Sequence, residues 1–135
     1  MIIIDTNVLV SGLLTSDENA PTAGILNAVL AAKIPYVISP ALLDEYRRVL
    51  LRPKLAGRHL LSEQDIDEFL TSLVHAAVWV EPDNTDKVAP DPGDQHLWEL
   101  LAARPDAALV TGDRLLLEST QYKNRVVSPA EYAAG

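Results

Sequence analysis

Three consecutive isoleucines, Ile2, Ile3 and Ile4, run directly into Asp5, and this junction constrains the chain more than any other stretch. An unbroken β-branched run ending at a polar residue reads as a short buried strand. The acid that follows stands at the carboxyl end of that strand. An ionised carboxylate delivered there by an apolar strand is costly unless a cation or several donors compensate it.

The rest of the chain alternates in the same way. A helix is expected over residues 20–32, with Ile25, Leu26, Val29 and Leu30 as its apolar stripe. A strand follows at 36–38, and Ser39-Pro40 supplies an N-cap and first-turn proline for a helix to about Leu51. Pro53 ends that helix or opens another around residues 54–60. Ser62 caps the next helix, whose stripe includes Ile66, Phe69, Leu70 and Leu73. A strand at 77–80, a polar proline-rich loop at 81–93, a helix at 94–102 and a strand at 107–110 come next. A short helix after Asp113, a strand at 125–127 and a turn capped by Ser128-Pro129 complete the pattern. Strands alternating with helices imply an α/β fold, a three-layer sandwich with a central, mainly parallel sheet. Ligands in such folds sit outside the carboxyl ends of the strands.

Composition narrows the function classes. The 135 residues suit one domain, with 48% apolar and 22% charged residues. No apolar run approaches the ~20 residues of a membrane span. The first residues lack the basic and long apolar regions of a signal peptide, so a cytoplasmic protein is expected. The absence of cysteine excludes disulfides and thiolate metal sites. A net charge of -8 opposes non-specific binding of a polyanion. However, five of the eleven basic residues, Arg47, Arg48, Arg52, Lys54 and Arg58, cluster between positions 47 and 58. They form either a local steering patch or a solvated helical face.

Four further acids stand out. On the 40–51 helix, Glu45 falls beside Leu42 and Val49 at the border of the apolar stripe, whereas Asp44 points to the opposite, solvated face. Glu45 therefore needs a metal or a buried partner such as an arginine. Asp94 opens a helix and shares its apolar side with Leu97 and Leu101; aspartate is also a preferred N-cap there. Asp91, before Pro92-Gly93, is either a supporting acid or a turn residue. Asp113 follows the strand at 107–110, where it is an N-cap or a site acid, with Thr111 placed to bond a carboxylate or a metal-bound water. Thr6 and Asn7 add oxygens or donors beside Asp5.

Oxygen-only ligands suit Mg²⁺ or Mn²⁺ rather than zinc. Such a site would activate water and neutralise charge on a phosphodiester. His59, His75 and His96 are scattered, and His96 is expected to be an exposed helical histidine. The chain has neither a Gly-rich phosphate loop nor a serine nucleophile elbow.

Residues 1–10 (MIIIDTNVLV), 37–50 (VISPALLDEYRRVL), 91–101 (DPGDQHLWELL) and 109–117 (LVTGDRLLL) resemble the motif blocks of PIN domains. More narrowly, they are similar to the branch of toxin components of bacterial toxin–antitoxin pairs. The resemblance spans nearly the whole chain, as a single domain over 1–135. It carries the family's acidic quartet onto Asp5, Glu45, Asp94 and Asp113, and its polar helpers onto Asn7, Thr111 and Ser39. Relatives often carry an acid-rich run after the Asp-Pro pair, and here Gly93 and Gln95 stand in two of those places, which leaves Asp91 in competition with Asp94. The resemblance implies Mg²⁺- or Mn²⁺-dependent endonucleolytic cleavage of RNA, a homodimer, and inhibition by a cognate antitoxin. Arg47, Arg48 and Arg52 are the expected RNA contacts.

Two other readings compete. A haloacid-dehalogenase-like phosphatase also places an aspartate after its first strand, but requires a second aspartate where this chain has Asn7. A PIN fold could alternatively serve as a binding module with idle acids; the intact quartet opposes that.

Overall fold

A computed structural model describes residues 1–55 and 61–135 of the chain. Residues 2–4 form β1 (Ile2–Ile4), and all three isoleucines are buried. It pairs in parallel with β2 (Tyr36–Ile38) on one side and β4 (Ala108–Val110) on the other. β3 (Ala77–Trp79) and β5 (Val126–Val127) complete the sheet, whose order is β3-β2-β1-β4-β5 with every pairing parallel. The expected mainly parallel sheet is thus wholly parallel, and β1 is its central strand. Burial on both faces explains why β1 and β2 are continuous apolar runs rather than alternating ones.

Four helices pack against one another in a layer: α1 (Thr6–Leu14), α2 (Pro21–Leu30), α3 (Pro40–Leu50) and α4 (Glu63–Ala76). A 3-10 turn at Pro92–Asp94 leads into α5 (Gln95–Ala103), which packs on β4, and α6 (Arg114–Glu118) lies against β5. The last helix, α7 (Pro129–Ala134), returns to α2. Together the helices and sheet make a three-layer α/β/α architecture. Among the described residues, no helix is long and apolar enough to cross a membrane.

Local sequence signals agree with the structure where capping chemistry is explicit. Ser39 Oγ accepts from Leu42 N, and Ser62 forms a reciprocal capping box with Asp65. Ser128 does the same with Glu131, which extends the expected terminal turn into a helix. Helix α1 is an addition, since the sequence reading places no element between the first strand and the helix at 20–32. Its residues include Val8, Val10 and Gly12, poor helix formers, yet burial of Val8 and Leu9 holds it in place. Gly12 is required by proximity, since a Cβ there would stand 2.7 Å from the Thr22 carbonyl oxygen of α2. The helical turn expected around residues 54–60 lies largely outside the described residues, as do Arg58 and His59.

The core centres on β1, β2 and β4, with Leu42, Tyr46 and Leu50 from α3 and Leu97, Trp98 and Leu101 from α5. Each fully buried aliphatic side chain contributes roughly 1.5–3 kcal/mol. One polar link inside this core matters for the site. The Tyr46 hydroxyl donates to the carbonyl oxygen of Ile4 and meets the Tyr36 hydroxyl at 2.7 Å. That bond fastens α3 to the last residue of β1, one position before Asp5 and one after Glu45.

Candidate active site

The order β3-β2-β1-β4-β5 reverses its direction of growth between β1 and β4. Ligands of open α/β sheets bind at that switch point, outside the carboxyl ends of the strands. The residues there are Asp5, directly after β1, and Thr111, directly after β4. A cavity of about 650 Å³ opens over Asp5. Asp5, Glu45, Asp94 and Asp113 all line it, together with Thr6, Asn7 and Arg52, and an apolar flank of Val10, Leu14, Val49 and Leu55.

Two threonines connect three of the acids. Asp5 is buried, and its Oδ1 accepts from the backbone N–H of Thr6 at 2.8 Å. Its Oδ2 accepts from the Thr111 hydroxyl at 2.6 Å. The Thr111 oxygen in turn accepts from the backbone N–H of Asp113 at 3.0 Å. On the other side, the Thr6 hydroxyl donates to Glu45 Oε2. The chain Glu45–Thr6–Asp5–Thr111–Asp113 thus draws together residues from α3, α1, β1 and the β4–α6 loop. Hydrogen bonds to charged groups contribute about 1.5–3 kcal/mol each.

Capping and site geometry coexist at two of these acids. Asp5 is the N-cap of α1 and still faces the cavity. Asp113 caps α6 by accepting from Leu115 N at 2.9 Å. Asp94 is different. It occupies the N-cap position of α5 but makes no side-chain capping bond among the described residues. Asp91 does the turn chemistry instead, accepting from Gly93 N at 2.8 Å, and it is exposed. Of the two, Asp94 lines the cavity.

The electrostatics reflect this crowding. Burial raises the Asp5 carboxyl above its ordinary value, the Thr111 hydroxyl and Thr6 N–H pull it back, and Glu45 and Asp113 push it up again. Asp94 is raised to about 6, first by burial and then by the charges of Asp5, Asp113, Asp91 and Glu45. Glu45 moves the other way: His96 pulls it down, outweighing burial, with Thr6 and Arg48 helping.

His96 corrects the sequence expectation of an exposed residue. Its side chain retains 17% exposure, and Nε2 lies 3.7 Å from Glu45 Oε2, beyond ordinary hydrogen-bonding distance. Neither ring nitrogen has a hydrogen-bond partner among the described residues. A buried polar atom left unpaired costs about 1–3 kcal/mol. The sequence signal is present, because His96 falls one turn before Leu100 on α5, but a single histidine between Gln95 and Leu97 gives no reason to prefer a buried position.

Ser39 is fully engaged as the α3 N-cap and faces a separate small cavity with His96. Of the three arginines, Arg52 lines the acidic cavity and Arg48 lies 3.9 Å from Glu45 Oε1. Arg47 turns away, ion-paired to Glu63 at 2.7 Å and to Asp67 at 2.8 Å on α4. Gln95 is structural, since its Oε1 accepts from Ala89 N at 2.8 Å and its Nε2 donates to the Lys87 carbonyl at 3.0 Å. An ionised carboxylate could not do both, which sets Gln95 apart from the acid-rich run expected there.

The donor set fits a hard divalent cation: carboxylates and hydroxyls, with mutual repulsion that a cation would relieve. As the side chains stand, no three acidic or histidine groups among the described residues close into a cluster that could hold one ion. The fit therefore rests on donor type and charge. No curated protein matches the chain significantly. The sequence matches the PIN domain over residues 1–115, and the remaining segment supplies β5 to the same sheet and Leu116 and Tyr122 to the same core. With that match extending across the strands and loops that carry all four acids, the chain belongs to the PIN-domain family, whose members are generally nucleases.

Proposed function

We propose that this protein is an endoribonuclease dependent on Mg²⁺ or Mn²⁺, acting as one domain over residues 1–135. The observation that supports this reading most is the convergence of Asp5, Glu45, Asp94 and Asp113 on one cavity at the sheet's switch point. Those four acids would hold the cation, with Asn7 and Thr111 as supporting polar groups. A bound divalent ion supplies an activated water and neutralises charge on a phosphodiester. The protein's own groups do the rest. Thr6 and Thr111 orient the carboxylates, and Arg52 at the cavity and Arg48 beside Glu45 offset the net charge of -8 toward RNA phosphates. The Val10–Leu14–Val49 flank gives an apolar wall against which an unpaired base can lie.

The resemblance to toxin components extends the proposal to a cytoplasmic homodimer restrained by a cognate antitoxin. The enzymatic part is tested by cleavage of a defined RNA pool with Mg²⁺, Mn²⁺ or EDTA, using wild type and Asp5→Asn, and a chromogenic phosphomonoester as control. Metal-dependent cleavage lost in Asp5→Asn is expected. Cleavage in EDTA, an unimpaired Asp5→Asn, or turnover of the monoester with intact RNA would sink the reading. The toxin role is tested by expressing the chain in its host with and without the adjacent reading frame and measuring growth.

A further inference from the structure

We propose that His96 is a positioning residue that holds the Glu45 carboxylate toward the acidic cavity; the inference rests on the reading of Glu45 as part of the active site. Asp5 and Asp113 leave strand ends on short side chains and are each held by a capping bond. Glu45, unlike these two, does not stand at the N-terminus of a helix. It projects from the middle of α3 on a two-methylene arm, one residue before Tyr46, whose hydroxyl ties the helix to β1. The carboxylate itself therefore needs lateral restraint. Thr6 supplies it from the β1 side.

His96 faces the same oxygen, Oε2, from α5, at 3.7 Å. Its two ring nitrogens are shut off from solvent and make no hydrogen bond among the described residues, while Nε2 stands within ion-pair distance of the Glu45 carboxylate. His96 also lines a small cavity with Ser39, Pro40, Glu81 and Glu99, whereas Glu45 lines the acidic one. Removing the imidazole would leave the Glu45 arm without this neighbour on the α5 side and freer to leave the site. The placement has a further consequence. His96 sits two residues after Asp94, so the first turn of α5 carries one site acid and the restraint on another. A shift of that turn would displace both together.

The test uses His96→Leu, which keeps bulk without a donor, and His96→Gln, which keeps an N–H, each compared with wild type and Glu45→Gln. Mn²⁺ affinity is measured by titration of the metal alone, single-stranded RNA cleavage is resolved into kcat and KM, and thermal midpoints monitor folding. His96→Leu is expected to weaken Mn²⁺ binding and lower kcat by roughly 10–100-fold, the range for groups that orient metal-binding side chains. KM for RNA should change little, His96→Gln should recover most of the loss, and His96→Leu should add nothing in the Glu45→Gln background. Wild-type Mn²⁺ affinity and kcat in His96→Leu beside an impaired Glu45→Gln would overturn the inference alone, as would additive effects in the double variant. A Glu45→Gln protein that binds Mn²⁺ and cleaves like wild type would overturn the reading of the site and the inference with it. Should His96→Leu fail to fold, His96→Gln against His96→Asn, which withdraws the donor by one methylene, gives the same comparison.

Discussion

Thr111 and Asp5 are separated by 106 positions in the chain, yet the Thr111 hydroxyl donates to Asp5 Oδ2 at 2.6 Å across the boundary between β4 and β1. The bond joins the two strands between which the sheet reverses its order. It also compensates a buried carboxylate that would otherwise rise further above its ordinary range.

Thr111→Val removes that donor while keeping the shape of the side chain. The Asp5 carboxylate would lose one of its two hydrogen bonds among the described residues, and the Asp113 N–H would lose its acceptor. The expected outcome is a fall in RNA cleavage of about 10–100-fold, with stability reduced by about 1–3 kcal/mol. Steady-state cleavage and urea denaturation measure the two. Wild-type cleavage would show that Thr111 only packs.

Asp94 sets a pH dependence whose sign follows from its raised pKa. The folded value of about 6 exceeds the ordinary 3.8, so the folded protein holds this proton more tightly than the unfolded chain does. The resulting stability is present in full below about pH 4 and is lost as pH rises to about 6. Asp94 is partly solvated, so screening leaves an effect on the order of 1 kcal/mol. Glu45, whose pKa is lowered, works in the opposite direction as pH falls. The Asp94 contribution is therefore read as the difference between wild type and Asp94→Asn in thermal melts of metal-free protein from about pH 4 to 7. The variant should flatten the decline. Mn²⁺ should stabilise wild type more at about pH 7 than at about pH 5, because proton and cation compete for the same acids.

Gln95→Glu tests why an amide stands in a place where acids were expected. The carboxylate retains an acceptor for Ala89 N but cannot donate to the Lys87 carbonyl. A loss of about 0.5–1.5 kcal/mol is expected, with faster amide hydrogen exchange in the 81–93 loop. Unchanged exchange there would show that the loop is held by its other contacts, including the Gln121 bond to the Val88 carbonyl.

Ala32→Gly should stabilise the protein. Ala32 has a φ of 58°, and the bonds Lys33 N to Ala28 O and Ala32 N to Val29 O close α2 in a Schellman motif. A Cβ in the left-handed region costs about 1–2 kcal/mol, part of which glycine gives back through its freer unfolded chain. A net gain of about 1 kcal/mol is expected in chemical denaturation. A loss would show that the Ala32 methyl makes a compensating contact.

Much of this architecture is legible in the chain because its signals are local. The isoleucine run, Ser39-Pro40 and the Ser62 cap each act within a few residues, and β2 occupies the expected positions. Helical phase separates the half-buried Glu45 from the exposed Asp44 for the same reason. Helix α1 is hidden from such signals because its propensity is poor and its stability comes from packing on α2 and α3. The buried position of His96 is hidden too, since it depends on α3 and α5 meeting across the site.

Asp5 shows where the division falls. Sequence alone determined that an acid leaves the central apolar strand and that further acids leave other elements, because strand runs, caps and helical periodicity are properties of contiguous residues. Only the tertiary structure decided that Thr6 would reach Glu45, that Thr111 would reach Asp5, and that Asp94 rather than Asp91 would line the cavity. Those outcomes depend on the order in which parallel strands are laid beside β1, and on the angle at which helices settle against them. Neither is encoded within reach of any single element, since each is settled by burying apolar faces contributed by residues dozens of positions apart.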